Sequence, residues 1–198
     1  MDNAKKIILA SRSPRRLRLL ATIVPEDRIV VMESNIEEIV EPNEDAENYC
    51  TRIAKNKAQA VWKKYEGEVD EIAAVIGADT VISFESNIIG QPEDAAHAVQ
   101  ILRKLSGNCH EVVTGVAVFV PSRTHFTTFA VRSKVWMRRV VEEMIKSYVA
   151  TGEPMDKAGA YAIQGRGRFL VERYEGSRSN IIGLPIKELE KVLKDVVL

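Results

Sequence analysis

Two hydroxyl groups and three guanidinium groups fall within six residues near the beginning of the chain, residues 11–16. Pro14 suits the first position of a helix, where the N–H that proline lacks has no partner to lose, and Ser13 suits the preceding N-cap. Arg15 and Arg16 then oppose the helix dipole, each at a cost of about 0.3–1 kcal/mol. A bound anion would remove that conflict. The pattern therefore predicts a phosphate or carboxylate site that includes Ser11, with a solvated basic helix start as the alternative.

A lysine interrupts the apolar face of the strongest helix prediction, residues 45–65. At about 100° per residue, the apolar stripe consists of Ala46, Cys50, Ile53, Ala60 and Val61, with Tyr49 at its edge. Lys57 falls in the middle of this stripe. A lysine in such a place either extends its ammonium group to solvent or meets a buried anion. Both interpretations remain open unless another segment supplies the anion.

A single carboxylate interrupts the apolar passage 73–82, at Asp79. An ionised carboxylate in a buried strand is costly unless it is paired or bound to a metal ion. A turn residue at the end of a strand is the alternative. Glu37 and Glu38 follow the second apolar run, 28–33, and could supply hard oxygen ligands, although adjacent charges of this kind usually face solvent.

A fourth polar cluster lies in the glycine-rich stretch 156–167. Its glycines permit unusual backbone angles. Gln164 offers both a hydrogen-bond donor and an acceptor, which is what recognition of a nucleobase edge requires.

Composition excludes several classes of protein. Lys and Arg number 28 and Asp and Glu number 28, so a zero net charge argues against a nucleic-acid wrapper or a polybasic membrane binder. No apolar run approaches the roughly 18 residues that a membrane span needs, and residues 7–10 are too few for a signal peptide. Cys50 and Cys109 lie far apart, as expected of reduced thiols. We therefore expect a soluble, cytoplasmic protein with no nucleic-acid or membrane partner.

Several common site chemistries have no motif in the sequence. A Walker phosphate loop, a dinucleotide glycine fingerprint and a Gly-x-Ser-x-Gly nucleophile elbow are absent. His97, His110 and His125 do not show metal-ligand spacing, so a zinc site is not expected.

Strand and helix patterns alternate along the chain. Strands are predicted at 6–11, 28–33, 72–76, 80–84, 88–89, 112–120 and 126–137, and helices at 14–20, 45–65, 95–105 (introduced by Pro92), 141–150 and 185–196. Several strands are hairpin neighbours, the clearest across the turn 85–87. The pattern predicts an α/β fold with a mixed twisted sheet and flanking helices. A length of 198 residues predicts about one domain, residues 1–198.

Six blocks, taken in order, resemble the Maf family of nucleoside triphosphate pyrophosphatases. The blocks are residues 9–16, 53–58, 76–81, 105–107, 152–165 and 183–185. Each block alone is weak, but the ordered set is specific and spans residues 6–196. The resemblance implies two lobes around a central cleft, as in Maf and ITPase-like folds.

The resemblance also implies an activity and assigns roles to residues. It implies cleavage between the α- and β-phosphates of a nucleoside triphosphate, with Mg²⁺ or Mn²⁺ as the cofactor. Asp79 would accept a proton from water, and Glu38 and Asp79 would hold the metal. The phosphates would be held by Lys57, Ser11, Ser13 and Arg16. Family members often form dimers, so a homodimer is expected.

Base selectivity follows from the same resemblance. The branch acting on dTTP and UTP carries the residues found here as Arg15, Thr80 and Gln164, whereas the 7-methyl-GTP branch has tryptophan and glutamine at the first two positions. Modified pyrimidine nucleotides are further expected substrates. Gln91, also assigned to substrate binding, replaces the usual lysine, and a lost contact from charge to phosphate is worth about 1.5–3 kcal/mol. An enzyme for 7-methyl-GTP and a non-catalytic nucleotide-binding regulator of cell division remain alternatives.

Overall fold

The computed structural model describes residues 5–65 and 70–196. Its strands are β1 (Lys6–Ala10), β2 (Ile29–Val31), β3 (Ile72–Phe84), β4 (Asn87–Ile89), β5 (Cys109–Val120), β6 (His125–Met137) and β7 (Val171–Glu175). Its α-helices are α1 (Pro14–Leu20), α2 (Ala46–Trp62), α3 (Ala95–Leu105), α4 (Glu142–Val149), α5 (Arg178–Ile182) and α6 (Ile186–Val196). Among these helices, none combines the length and apolar character that crossing a membrane requires.

The seven strands form one mixed sheet with the order β2-β1-β3-β5-β6-β7, and β4 pairs with β3. Strand β1 is parallel to β2 and to β3, whereas the pairs β3–β5, β5–β6 and β6–β7 are antiparallel. Helices flank this sheet, as the sequence predicts. The mixed α/β fold is confirmed.

Strand β3 changes its partner along one edge. Its pairing with β1 ends at Gly77, opposite Ala10, and its pairing with β4 begins at Ile82, opposite Ile89. No described strand pairs with residues 78–81 on that edge, although β5 pairs with all four on the other edge. The sheet therefore has an opening at the point where the chain leaves β1 toward α1, and Asp79 lies in this opening.

The two faces of β3 have different neighbours because successive side chains of a strand alternate. Helix α2 packs on one face, where a Cβ at Gly77 would collide with the backbone of Ala54. The other face carries two apolar clusters, one that includes Ile76 with α1 and α6 and another that includes Ile82 with α3 and α4. These clusters form the two predicted lobes, and Thr80 lies between them.

The main difference from the sequence prediction lies in β3. Residues 72–76 and 80–84 belong to one strand, because β5 pairs with β3 continuously from Val75 to Ser83. Helix α3 begins at Ala95, as predicted, and the Asp94 side chain caps it by accepting a hydrogen bond from the backbone N–H of His97. The predicted hairpin turn at 85–87 is confirmed, with two successive positive φ angles.

Candidate active site

A cleft of about 710 Å³ lies at the opening in the sheet. This volume is within the range of about 300–1,000 Å³ that is typical of small-molecule sites. All the site residues predicted from the sequence border it: Ser11, Ser13, Arg15, Arg16, Glu38, Lys57, Asp79, Thr80, Gln91 and Gln164. Six separate stretches of the chain thus contribute to one cavity.

A buried lysine and two carboxylates form the acidic wall of the cleft. Nζ of Lys57 lies 2.7 Å from Oδ1 of Asp79 and 2.8 Å from Oε1 of Glu38. The Lys57 and Asp79 side chains are 9% and 7% exposed, whereas Glu38 is 46% exposed. The anion that Lys57 meets is therefore Asp79, and Asp79 is a buried strand residue rather than a turn residue.

Two side chains of α2 stand behind these carboxylates. The hydroxyl of Tyr49 donates a hydrogen bond to the backbone carbonyl of Glu38 at 3.1 Å. The thiol of Cys50 donates to the carbonyl of Val113 at 3.3 Å, and its Sγ lies 4.0 Å from Oδ2 of Asp79. Burial and then the nearby charge of Asp79 raise the pKa of Tyr49 and of Cys50, so both remain protonated donors.

Arg16 forms the cationic wall and is held by three hydrogen bonds. Its Nε donates to the carbonyl of Gly183 at 2.9 Å, Nη1 to Oγ of Ser11 at 3.2 Å, and Nη2 to Oγ1 of Thr80 at 3.1 Å. Burial lowers the pKa of Arg16, and the charges of Asp79 and Glu38 oppose that effect. The three contacts leave two N–H groups of the guanidinium for a ligand.

Ser13 is the predicted N-cap of α1, and the structure confirms it. Its Oγ accepts a hydrogen bond from the backbone N–H of Arg16 at 3.4 Å, and its own N–H donates to Oγ of Ser11 at 3.2 Å. Both serine hydroxyls therefore lie at the junction between β1 and α1. This junction borders the cleft.

Thr80 belongs to a chain of hydroxyl contacts on the face of β3 opposite Asp79. Thr114 donates its proton to the carbonyl of Asn180 at 3.0 Å, so Thr80 must donate in the 3.0 Å contact between the two threonine hydroxyls. Thr80 thereby accepts from Arg16 while it donates to Thr114. Its hydroxyl orients the guanidinium of Arg16.

The remaining predicted residues lie on the far wall. Nη1 of Arg15 donates to Oδ2 of Asp156 at 2.7 Å, and Nε2 of Gln91 donates to the backbone carbonyl of Asp156 at 3.3 Å. Gln164 borders the same wall with an exposed side chain. Burial raises the pKa of Asp156, but hydrogen bonds from Lys157 and Arg15 outweigh it and lower the pKa overall.

Sequence reasoning missed the residues that support the predicted ones. From the sequence, Tyr49 is assigned only to the edge of an apolar stripe, and Glu153 receives no role of its own. The signal for Tyr49 is its polar group at the edge of a buried face, where a hydroxyl needs a partner. Glu153 gives no comparable signal, because its partners are backbone N–H groups, those of residues 166 and 167 in the 3-10 helix Gly165–Leu170.

The two carboxylates suit a divalent cation that also binds phosphate. In residues 5–65 and 70–196, no group of three or more His, Cys, Asp or Glu side chains could hold a metal ion. Glu38 and Asp79 nevertheless both reach the ammonium group of Lys57, so their oxygens converge at the cleft. Mg²⁺ is commonly held by one or two carboxylates together with substrate phosphates. Glu38 and Asp79 fit that kind of site.

Comparisons with known proteins give a family. The family model described as Maf-like protein matches residues 6–196. A dTTP/UTP pyrophosphatase of Geotalea uraniireducens is 43% identical over 194 residues, 98% of this chain and 96% of the relative. A dTTP/UTP pyrophosphatase of Geobacter sulfurreducens is 45% identical over 191 residues, 96% of each chain. A solved nucleoside-triphosphatase / dITP/XTP pyrophosphatase of Mycobacterium abscessus gives a TM-score of 0.48 at 16% identity over 98% of each chain. Because the family model and these relatives cover nearly the whole sequence, the chain belongs to the Maf family.

Proposed function

We propose that this chain hydrolyses the bond between the α- and β-phosphates of dTTP and UTP and releases the nucleoside monophosphate and pyrophosphate. Modified pyrimidine nucleotides are further proposed substrates. The observation that carries the proposal is the opposition of two walls in one cleft, Arg16 on one side and Asp79 with Glu38 on the other. Full-length relatives named dTTP/UTP pyrophosphatase support the choice of substrate.

The triphosphate binds through cationic and hydroxyl groups that converge on the cleft. Arg16 is fixed by three hydrogen bonds and keeps two N–H groups for phosphate oxygens. Ser13 and Ser11 place hydroxyl groups beside it. Lys57 has three N–H groups, two of which are directed to carboxylates, so the third is available to a phosphate oxygen.

Hydrolysis needs a water molecule that is deprotonated as it attacks. The water oxygen bonds to the α-phosphorus, the bond from the α-phosphorus to the bridging oxygen breaks, and pyrophosphate leaves. Asp79 accepts the proton, because its carboxylate borders the cleft and is paired with the ammonium group of Lys57. A divalent cation held by Glu38 and Asp79 would neutralise charge on the phosphates.

Selectivity for pyrimidine bases is assigned to the far wall and to Thr80. The amide of Gln164 can donate to one edge atom of a base and accept from another. Arg15 and Thr80 complete the set that the resemblance associates with dTTP and UTP. Since Thr80 directs its hydroxyl to Thr114 and to Arg16, its contribution passes through Arg16.

The test is a nucleotide panel with Mg²⁺ or Mn²⁺, in which monophosphate, pyrophosphate and free phosphate are separated. Pyrophosphate should appear faster from dTTP and UTP than from ATP or GTP. Asp79→Asn should lower kcat by about 10²–10⁴-fold, the usual contribution of a positioned base. Asp27→Asn, at an exposed position outside the cleft, is the matched control and should retain the rate.

Three outcomes would contradict parts of this proposal. Free phosphate as the first product would contradict cleavage between the α- and β-phosphates. An unchanged rate in Asp79→Asn would exclude its role as the base. Tight nucleotide binding without turnover would favour the regulator of cell division.

A further inference from the structure

Glu153 fastens the turn that follows Gln164. Its Oε2 accepts a hydrogen bond from the backbone N–H of Arg166 at 3.0 Å, and its Oε1 accepts from the backbone N–H of Gly167 at 2.9 Å. The hydroxyl of Tyr148 donates to the same Oε1 at 3.1 Å. Burial raises the pKa of Glu153, but these hydrogen bonds outweigh burial and lower the pKa overall. The carboxylate is therefore a charged acceptor for three donors, two of which belong to the turn.

The fit between the turn and this carboxylate is close. Gly165 follows Gln164 and has a φ angle of 72°, a conformation that other residues rarely adopt. A Cβ at Gly165 would lie 2.9 Å from Oε2 of Glu153. The backbone thus lies directly against the carboxylate, so the position of Gln164 depends on where Glu153 is held.

Asp156, three residues after Glu153, contacts the start of α1. Its Oδ2 accepts a hydrogen bond from Nη1 of Arg15 at 2.7 Å, and its backbone carbonyl accepts from Nη2 at 3.1 Å. The same carbonyl accepts from Nε2 of Gln91 at 3.3 Å. Nζ of Lys157 lies 2.6 Å from the other carboxylate oxygen, Oδ1. Arg15 is therefore held at two points by one residue 141 positions away in the sequence.

Glu153 and Asp156 belong to one short 3-10 helix, Glu153–Asp156, which we call the brace. We propose that the brace sets nucleobase selectivity by holding Gln164 and Arg15 at a fixed separation. Glu153 and Asp156 act as positioning residues, Glu153 through its contacts with the turn after Gln164 and Asp156 through its contacts with Arg15. This inference rests on the proposed function, in which Gln164 and Arg15 contact the base.

The physical reason is the difference in size between the bases. A pyrimidine has one ring and a purine has two, so a fixed separation between Gln164 and Arg15 fits the smaller base. If the turn that carries Gln164 is released from Glu153, the gap can widen and a purine is accommodated. Releasing the brace should therefore weaken binding of the pyrimidine nucleotide and strengthen binding of the purine nucleotide, with little effect on the reacting phosphates.

The test compares kcat/KM for UTP and GTP in the unmodified protein and in Glu153→Gln. The amide presents an N–H group where a backbone N–H now donates, so at least one hydrogen bond is lost. We expect the UTP-to-GTP ratio of kcat/KM to fall about tenfold, the effect of one hydrogen bond to a charged group. The change should lie in KM for UTP, with its kcat altered by less than about threefold.

Two further variants sharpen the comparison. Asp156→Asn keeps the backbone carbonyl contacts and removes the charge that faces Arg15, so the ratio should fall by about three- to tenfold. Glu142→Gln is the matched control. Glu142 lies on α4, the helix that also carries Tyr148, and forms an exposed ion pair with Arg103. The UTP-to-GTP ratio of kcat/KM in Glu142→Gln should equal that of the unmodified protein.

Each result decides for or against the brace. An unchanged ratio in folded Glu153→Gln, or equal losses with both nucleotides, overturns the inference, because a merely structural role would lower both rates together. If Glu153→Gln does not fold, Tyr148→Phe removes one donor and keeps the carboxylate, and an unchanged UTP-to-GTP ratio in that variant also overturns the inference.

If the unmodified protein releases no pyrophosphate from any nucleotide, the proposed function is wrong, whatever the role of the brace. The brace is then tested by the ratio of dissociation constants for UTP and GTP, with the same expected direction.

Discussion

The ammonium group of Lys57 lies 2.7 Å from Oδ1 of Asp79, and both side chains are less than one-tenth exposed. Lys57 comes from α2 and Asp79 from β3, so this ion pair joins the helix to the sheet on which it packs. Glu38 approaches the same ammonium group from a loop at 2.8 Å. One positive charge thus compensates two carboxylates, and the residues that stabilise this contact are the ones proposed to bind phosphate and activate water.

Lys57→Met should destabilise the protein by about 3–5 kcal/mol, the usual cost of leaving a buried charge without its partner. The double variant Lys57→Met/Asp79→Asn should recover most of that loss, because it removes the stranded charge. Urea unfolding at neutral pH measures both effects. Lys55→Met, at an exposed position on the same helix with a cation–π contact to Phe126, should cost no more than about 1 kcal/mol. Equal stability of the two single variants would show that the ion pair contributes nothing.

Glu38→Gln should raise the Mg²⁺ concentration needed for half-maximal pyrophosphate release by about tenfold, since an amide oxygen is a weaker ligand than a carboxylate. High Mg²⁺ should restore part of the rate, because Asp79 and the phosphates remain. A titration with Mg²⁺ at fixed dTTP measures the change. Glu37→Gln alters the adjacent exposed glutamate, which does not border the cleft, and its titration should match that of the unmodified protein. A loss in Glu38→Gln that no Mg²⁺ concentration relieves would assign Glu38 a different role.

Gln91→Lys should increase kcat/KM for dTTP by about fivefold, because a hydrogen bond from a charged donor to phosphate is stronger than one from an amide. Gln91 borders the cleft with an exposed side chain and donates to the carbonyl of Asp156. Gln91→Met, which keeps the length of the side chain without charge or hydrogen bond, is the companion variant. Steady-state rates that do not differ between the lysine variant and the unmodified protein would place this position outside the phosphate site.

The sequence predicts much of the acidic wall because burial and charge conflict there visibly. Lys57 stands in an apolar stripe and Asp79 in an apolar strand, and each requires a partner of opposite charge. The sequence cannot show that they are partners of each other, since that depends on the packing of α2 against β3. The prediction divides β3 at residue 79 for a related reason: a carboxylate in mid-strand is stable only with its partner in place.

The far wall was less predictable. Arg15 and Asp156 pair across 141 positions, and the contacts of Glu153 are with backbone N–H groups, which carry no sequence signature.

His110 should make the stability of the protein fall as the pH is lowered from about 6.5 to about 4. The side chain is 3% exposed, its Nε2 lies 2.7 Å from the hydroxyl of Tyr161, and its buried Nδ1 meets no hydrogen-bond partner among the described residues. Burial lowers the pKa of His110 from 6.5 to about 4. The unfolded chain therefore binds a proton in this range while the folded chain does not, so protonation favours unfolding. The contribution to stability is complete above pH 6.5, and about 3 kcal/mol of it is lost once the pH has fallen through 4.

His110→Gln keeps a hydrogen-bonding group near Tyr161 and removes the titration, so its free energy of unfolding should change less between pH 6.5 and pH 4 than that of the unmodified protein, by up to about 3 kcal/mol. Urea unfolding at half-unit intervals of pH measures the difference. His97→Gln is the control, because His97 is a partly buried histidine of α3 that does not border the main cleft. Parallel profiles for His110→Gln and the unmodified protein would mean that His110 titrates alike in the folded and unfolded chains.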